Sequence, residues 1–80
     1  MINTTEKYNL GSDPSLLLVD DDEPFIRRLS RAMEKRGFEV RSALTIHEGK
    51  QLVEKSAPGY AVIDLRLEDG SGLEVVELIR

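Results

Sequence analysis

An unbroken apolar run, Leu16-Leu17-Leu18-Val19, stops on three consecutive acids, Asp20-Asp21-Asp22, and a second run, Tyr60-Ala61-Val62-Ile63, ends on Asp64. Short continuous apolar runs suit strands buried on both faces, as in a parallel sheet with helices on either side. Burial fixes such strands, so acids at their ends are held where like charges meet. Two carboxylates about 4 Å apart repel by roughly 4 kcal/mol at an effective dielectric near 20. A fold accommodates that when a cation fills the gap or when the charge density does chemistry.

Between the two runs the hydrophobic period changes. From Pro24 to Arg36, Phe25, Ile26, Leu29, Ala32 and Met33 recur at the spacing of one helix face. Pro24 fits a first turn, where its missing N–H costs nothing, and Asp22 or Glu23 can cap it. Gly37 supplies the stop. Phe38-Glu39-Val40-Arg41-Ser42-Ala43 alternates and reads as a second strand near an edge. Thr45-Ile46-His47-Glu48 is a capping-box signature for a second helix running to about Ser56, weakened by Gly49. Ala57-Pro58-Gly59 is a turn, Tyr60–Asp64 the third strand, and Ser71-Gly72-Leu73-Glu74 another capping box that opens a last helix. The order β-α-β-α-β-α with short connections demands a parallel α/β sheet with right-handed crossovers and helices on both faces.

Eighty residues allow one small domain. Residues 1–14 lack periodicity and read as a flexible lead-in, leaving 15–80 as the domain. The net charge of −4 gives no basic excess for nucleic-acid binding. Without cysteine there are no disulfides, thiolate metal sites or thiol redox sensing. The first residues lack the layout of a signal peptide, and no apolar run approaches a membrane span, so cytoplasm is the expected location and no membrane partner is expected. Leu73 to Arg80 reads as a helix without a stop signal, so the chain reads as cut rather than finished.

In sheets of this type ligands bind beyond the carboxyl ends of the strands. Asp20, Asp21, Asp22 and Asp64 lie at those ends, and they converge if the third strand pairs with the first. Mg²⁺ takes hard oxygen ligands, commonly one or two carboxylates with phosphate oxygens and water. Asp21 is expected to bind such a metal directly, Asp20 directly or through water, and Asp22 to face away and cap the helix. Asp64 would then sit beside the metal as a carboxylate nucleophile able to form an aspartyl phosphate. The plain rival is a solvated turn with an N-cap. A calcium EF-hand alternates its ligands around a central glycine, which these acids do not. A P-loop or dinucleotide fingerprint needs glycines after the first strand, and none is there.

Leu17-Leu18-Val19-Asp20-Asp21-Asp22-Glu23-Pro24, Ala61-Val62-Ile63-Asp64-Leu65-Arg66-Leu67 and Asp69-Gly70-Ser71-Gly72 together resemble the receiver domain of two-component response regulators. The resemblance covers about 16–80. Met33-Glu34-Lys35-Arg36-Gly37-Phe38 and Leu67-Glu68-Asp69-Gly70 are similar to a narrower group, the redox- and acid-responding global regulators of the ActR/RegA/PrrA type. It implies the first three βα units of a flavodoxin-like, doubly wound sheet. Asp64 would be the phosphoacceptor, and Asp20, Asp21, Asp64 and the backbone carbonyl of Arg66 would hold Mg²⁺. A sensor histidine kinase would be the phosphoryl donor. DNA would be reached only through a domain absent from this chain. Gly72 falls where receivers keep a glycine. Glu68 stands where many have proline, which loosens the loop. The hydroxyl residue and the lysine that read the phosphoryl group in receivers belong to strands beyond Arg80.

The basic face formed by Arg27, Arg28, Arg31, Lys35 and Arg36 is an ordinary solvated surface or, by the same resemblance, the face that docks on the kinase. His47 reads as a surface residue rather than a phosphorelay histidine, and Tyr60 as structural. A receiver assists its own modification, so the chain is not expected to be an enzyme. Three strands with one side stripped of neighbours expose unpaired backbone and apolar helix faces, so homodimerisation or other self-association is expected. The competing reading is a receiver-like interaction module that is not phosphorylated.

Overall fold

In the computed structural model of the protein, which describes residues 13–80, the central element is β1 (Ser15–Val19). There follow α1 (Glu23–Glu34), β2 (Glu39–Ala43), α2 (Ile46–Lys55), β3 (Tyr60–Ile63), a small hairpin of β4 (Arg66–Leu67) and β5 (Gly70–Ser71), and α3 (Leu73–Ile79). The main sheet is parallel in the order β2-β1-β3, with β4 and β5 forming a separate antiparallel pair. Val19 pairs with Ala43 on one side and with Ile63 on the other. This is the N-terminal part of a doubly wound α/β sheet, as the alternation of periods predicts.

Side chains of a strand point alternately to its two faces, and β1 buries both sets. Leu17 and Val19 meet Ala43, Ile46, Val53 and Val75 under α2 and α3. Leu16 and Leu18 meet Ile26 of α1, with Leu29, Met33, Phe38, Val40 and Leu44 around them. Leu16, Leu17, Leu18 and Val19 are each at most 2% exposed. Burying each one fully stabilises the fold by about 1.5–3 kcal/mol, which explains why the run carries no polar residue.

The ends of α1 follow from local chemistry. The Asp22 carboxylate accepts from the Phe25 N–H at 3.1 Å, and Pro24 lies in the first turn. At the other end Gly37 adopts φ 96°, and the N–H groups of Gly37 and Phe38 return to the carbonyls of Glu34 and Met33. For α2, Thr45 Oγ1 accepts from the Glu48 N–H at 3.0 Å, whereas the Glu48 carboxylate reaches back to the Leu44 N–H at 3.2 Å. Gly49 is buried, and a Cβ there would lie 3.2 Å from Val19 Cγ2 and 3.3 Å from Val75 Cγ2. The glycine that weakens the helix on paper is what brings it close to the sheet and to α3.

Several expectations are corrected. Phe25, read as core from its spacing, is 37% exposed, because it sits at the margin of the apolar arc that Ile26 centres. β3 is half-open, with Tyr60 43% and Val62 49% exposed, because it is an edge strand. The Ser71 capping box forms only in part: the Glu74 carboxylate takes the Ser71 N–H, but Ser71 Oγ does not take the Glu74 N–H. The α3 N-cap position is Gly72, and Ser71 Oγ accepts from the Leu73 N–H at 3.1 Å instead. Of the expected lead-in, residues 1–12 lie outside the described residues. Asp13 and Pro14 are held: the Asp13 carboxylate accepts from the Ser15 N–H and hydroxyl, and the Pro14 carbonyl accepts from the Glu39 N–H. No helix among the described residues is long and apolar enough to cross a membrane.

Candidate functional site

The pairing that brings the acids together is present. The Asp64 N–H donates to the Val19 carbonyl at 2.8 Å, and the Asp20 N–H to the Ala43 carbonyl at 3.1 Å. Both residues therefore leave the sheet at its carboxyl edge from adjacent strands, whose axes lie about 4.8 Å apart. One carboxylate oxygen from each of Asp20, Asp21 and Asp64 lies within 4.8 Å of the others. Asp20 and Asp64 are half-buried and Asp21 is exposed. Asp22 is not in the group, because its carboxylate caps α1.

Hydrogen bonds orient two of the three acids. Asp20 Oδ1 accepts from the Asp22 N–H at 2.9 Å, which curls the chain as it leaves β1. Asp64 Oδ1 accepts from the Arg66 N–H at 3.1 Å, which ties residue 66 to the acid two positions earlier. The single ion pair among the described residues is Lys50 to Glu74, so no protein cation offsets the three clustered charges. Three carboxylates with no compensating cation form an all-oxygen donor set suited to a hard divalent ion. Ligand oxygens opposite each other around Mg²⁺ are about 4.2 Å apart, so small side-chain rotations or a bridging water close the shell. The residues present fit the ion.

Gly72 explains the loop's path. Its N–H donates to the Leu65 carbonyl at 3.0 Å, folding the segment back against the end of β3. A Cβ at Gly72 would overlap the Asp64 carbonyl oxygen and lie 2.7 Å from Ile63 Cγ2. Only a residue without a side chain fits beneath Asp64.

Two contacts escaped the sequence reading. The segment after Asp64, read as a loop, is the β4–β5 hairpin with Glu68 and Asp69 at its turn. Asp69 Oδ1 accepts from the Ile46 N–H at 2.9 Å and Oδ2 from the His47 N–H at 3.1 Å. The Ile46 bond and then the His47 bond, against a desolvation cost, hold the Asp69 carboxyl below its ordinary value. The Asp69-Gly70 dipeptide is turn chemistry, but nothing along the chain says which helix the acid reaches. The second contact is Arg41 on β2, whose guanidinium donates to the carbonyls of Leu52 at 3.1 Å and Ser56 at 2.9 Å, closing the C-terminus of α2.

The remaining candidates lie elsewhere. Arg27, Arg28 and Arg31 are exposed on the outer face of α1 with no carboxylate partner among the described residues. His47 is exposed at the start of α2. Arg66 is exposed in β4, and its backbone N–H is its contact with Asp64.

Comparison with known proteins gives a consistent picture. A family model described as the response regulator receiver domain matches residues 16–80. The photosynthetic apparatus regulatory protein RegA of Rhodobacter capsulatus is 68% identical over 75 residues, covering 94% of this chain and 41% of the relative. RegA of Rhodovulum sulfidophilum is 61% identical over 75 residues with the same coverage. The acid tolerance regulatory protein ActR of Rhizobium meliloti (strain 1021) is 58% identical over 71 residues, covering 89% of this chain and 37% of the relative. The chain thus spans about two fifths of the length of these curated relatives. No solved structure matches it.

Proposed function

We propose, given that the chain belongs to the response regulator receiver family, that Asp64 is the residue phosphorylated and that Asp20, Asp21 and the Arg66 backbone carbonyl help it hold Mg²⁺. The observation that carries this reading is the meeting of three carboxylates from two adjacent strand ends with no ion-pair partner among the described residues. In the reaction a carboxylate oxygen of Asp64 forms a bond to phosphorus while the phosphorus–nitrogen bond of a phosphohistidine breaks. The imidazole leaves as the donor's free histidine after taking up a proton. When bound, Mg²⁺ neutralises the charge gathered on the transferring oxygens.

The chain's own residues do the positioning. β1 and β3 fix the acids side by side, the Arg66 N–H orients the Asp64 carboxylate, and Gly72 leaves its backbone room. The donor is a sensor histidine kinase, which docks on the exposed cationic face of Arg27, Arg28 and Arg31. The chemistry belongs to a cytoplasmic phosphoacceptor rather than an enzyme with turnover of its own. Two further relatives named as transcriptional regulatory proteins, AfsQ1 of Streptomyces coelicolor and PrrA of Mycobacterium leprae, support an output in transcription. That output would act through a DNA-binding domain outside this chain.

The test uses the full-length protein, a small acyl phosphate donor and Mg²⁺. Wild type takes up one label that is lost in Asp64→Asn. Label that persists in Asp64→Asn removes the acceptor role from Asp64. Absence of label in both proteins favours an interaction module with a receiver's shape.

A further inference from the structure

We propose that Asp69 is a positioning residue for the acidic site, fastening the loop that follows Asp64 to the first turn of α2; this rests on the phosphoacceptor reading above. Both oxygens of its carboxylate are engaged by backbone N–H groups of a helix that lies 22 and 23 residues earlier in the chain. That helix already has a local cap in Thr45, whose hydroxyl takes the Glu48 N–H. The Gly49 N–H is taken by the Thr45 carbonyl. Asp69 therefore completes the first turn of α2 from outside, and what it adds is a link between α2 and the hairpin.

The hairpin needs such a link. Strands of two residues have little pairing of their own, and an isolated hairpin is marginal in water even when longer. One end of the hairpin carries the Arg66 N–H that holds Asp64 Oδ1. Its apolar anchor is Leu67, which packs on the core cluster that includes Ile46. The Leu65 and Glu68 side chains are exposed, so neither packs the turn against the core, and the Leu65 carbonyl bonds to Gly72 at the far end of the hairpin. Asp69 is the directional contact, with two charge-assisted bonds whose geometry sets where the turn sits. Its charge is also favourable at a helix N-terminus. If it is removed, the hairpin pivots on Leu67, the Arg66 N–H leaves Asp64, and the carboxylate loses its fixed direction. The coupling runs both ways: metal that orders Asp64 also tightens the hairpin against Ile46 and His47.

The experiment is a Mg²⁺ titration of the full-length protein, paired with hydrogen exchange at the Ile46 and His47 amides. Asp69→Ala is expected to weaken Mg²⁺ binding about tenfold, the low end for partners that orient metal ligands. Asp69→Asn keeps one acceptor oxygen and should fall between. Thr45→Ala removes the other cap of the same helix without touching the hairpin, and should leave Mg²⁺ affinity at the wild-type value. Mg²⁺ should slow exchange of both amides in wild type and not in Asp69→Ala. Equal shifts in Asp69→Ala and Thr45→Ala, or none in either, overturn the positioning role. Mg²⁺ affinity at the wild-type value in Asp64→Ala overturns the site reading itself, and the proposal with it.

Discussion

Replacing Gly72 with alanine separates conformational preference from space. Gly72 has φ −59° and ψ −18°, an ordinary right-handed geometry that alanine adopts without strain. By restricting the unfolded chain alone, Gly72→Ala would stabilise the protein by about 0.4–1 kcal/mol. Against that, the new Cβ would overlap the Asp64 carbonyl oxygen and stand 2.9 Å from its carbon and 2.7 Å from Ile63 Cγ2. Overpacking of this kind costs about 1–3 kcal/mol, and the upper part of that range applies because a carbonyl cannot rotate away as a side chain does. The Asp64 backbone is also anchored by its N–H on Val19. The clash wins, with a net loss of about 1–2 kcal/mol, or roughly 4–8 °C in Tm for each kcal/mol in a domain of this size. Urea unfolding followed by circular dichroism measures the loss, and a Mg²⁺ titration of the same variant reports the displacement of Asp64. A Gly72→Ala protein as stable as wild type, with unchanged Mg²⁺ affinity, would refute the close-approach argument.

Acid should weaken the fold through the contacts between α2 and its neighbours. Asp69 is held below its ordinary 3.8 by the Ile46 N–H first, and Glu74 below its ordinary 4.5 by the Lys50 ammonium first. The stability these carboxylates add is complete above those values and is lost as pH falls through their lowered folded values. The urea midpoint should therefore drop further between about pH 6 and about pH 3 in wild type than in Asp69→Asn/Glu74→Gln, and parallel curves would count against both contacts. Self-association of the 80-residue chain should follow from the open side of β3, where Tyr60 is 43% and Val62 49% exposed. Sedimentation should show the average mass rising from 9.0 kDa with concentration, and Val62→Lys should suppress the rise. A mass that stays at 9.0 kDa at every concentration tells against association through this edge.

The strands and helices were legible because each announces itself by period. The continuous Leu16–Val19 run encodes burial on both faces, and the acids at the ends of β1 and β3 needed only the parallel pairing to meet. Caps that bond to near neighbours, such as Asp22 and Thr45, were also readable. What stayed hidden depends on distance along the chain. The reach of Asp69 to Ile46, and of Arg41 to Leu52 and Ser56, has no local pattern behind it. The β4–β5 hairpin is too short to show alternation. Gly72 could be recognised as a loop glycine, but the reason it must be one is the Asp64 carbonyl lying against it. Phe25 and Val62 were misjudged because periodicity tells which face a residue takes, not whether another element covers that face.

The acids of the site stand on unequal foundations. Asp20 and Asp21 extend from the innermost strand, whose side chains are sealed on both sides, while Asp64 extends from a strand with one flank open. Asp64 is instead held locally, by its own N–H on the Val19 carbonyl and by the Arg66 N–H on its Oδ1. One side of the acidic group is therefore set by a sealed core, and the other by two backbone hydrogen bonds and the close approach of Gly72.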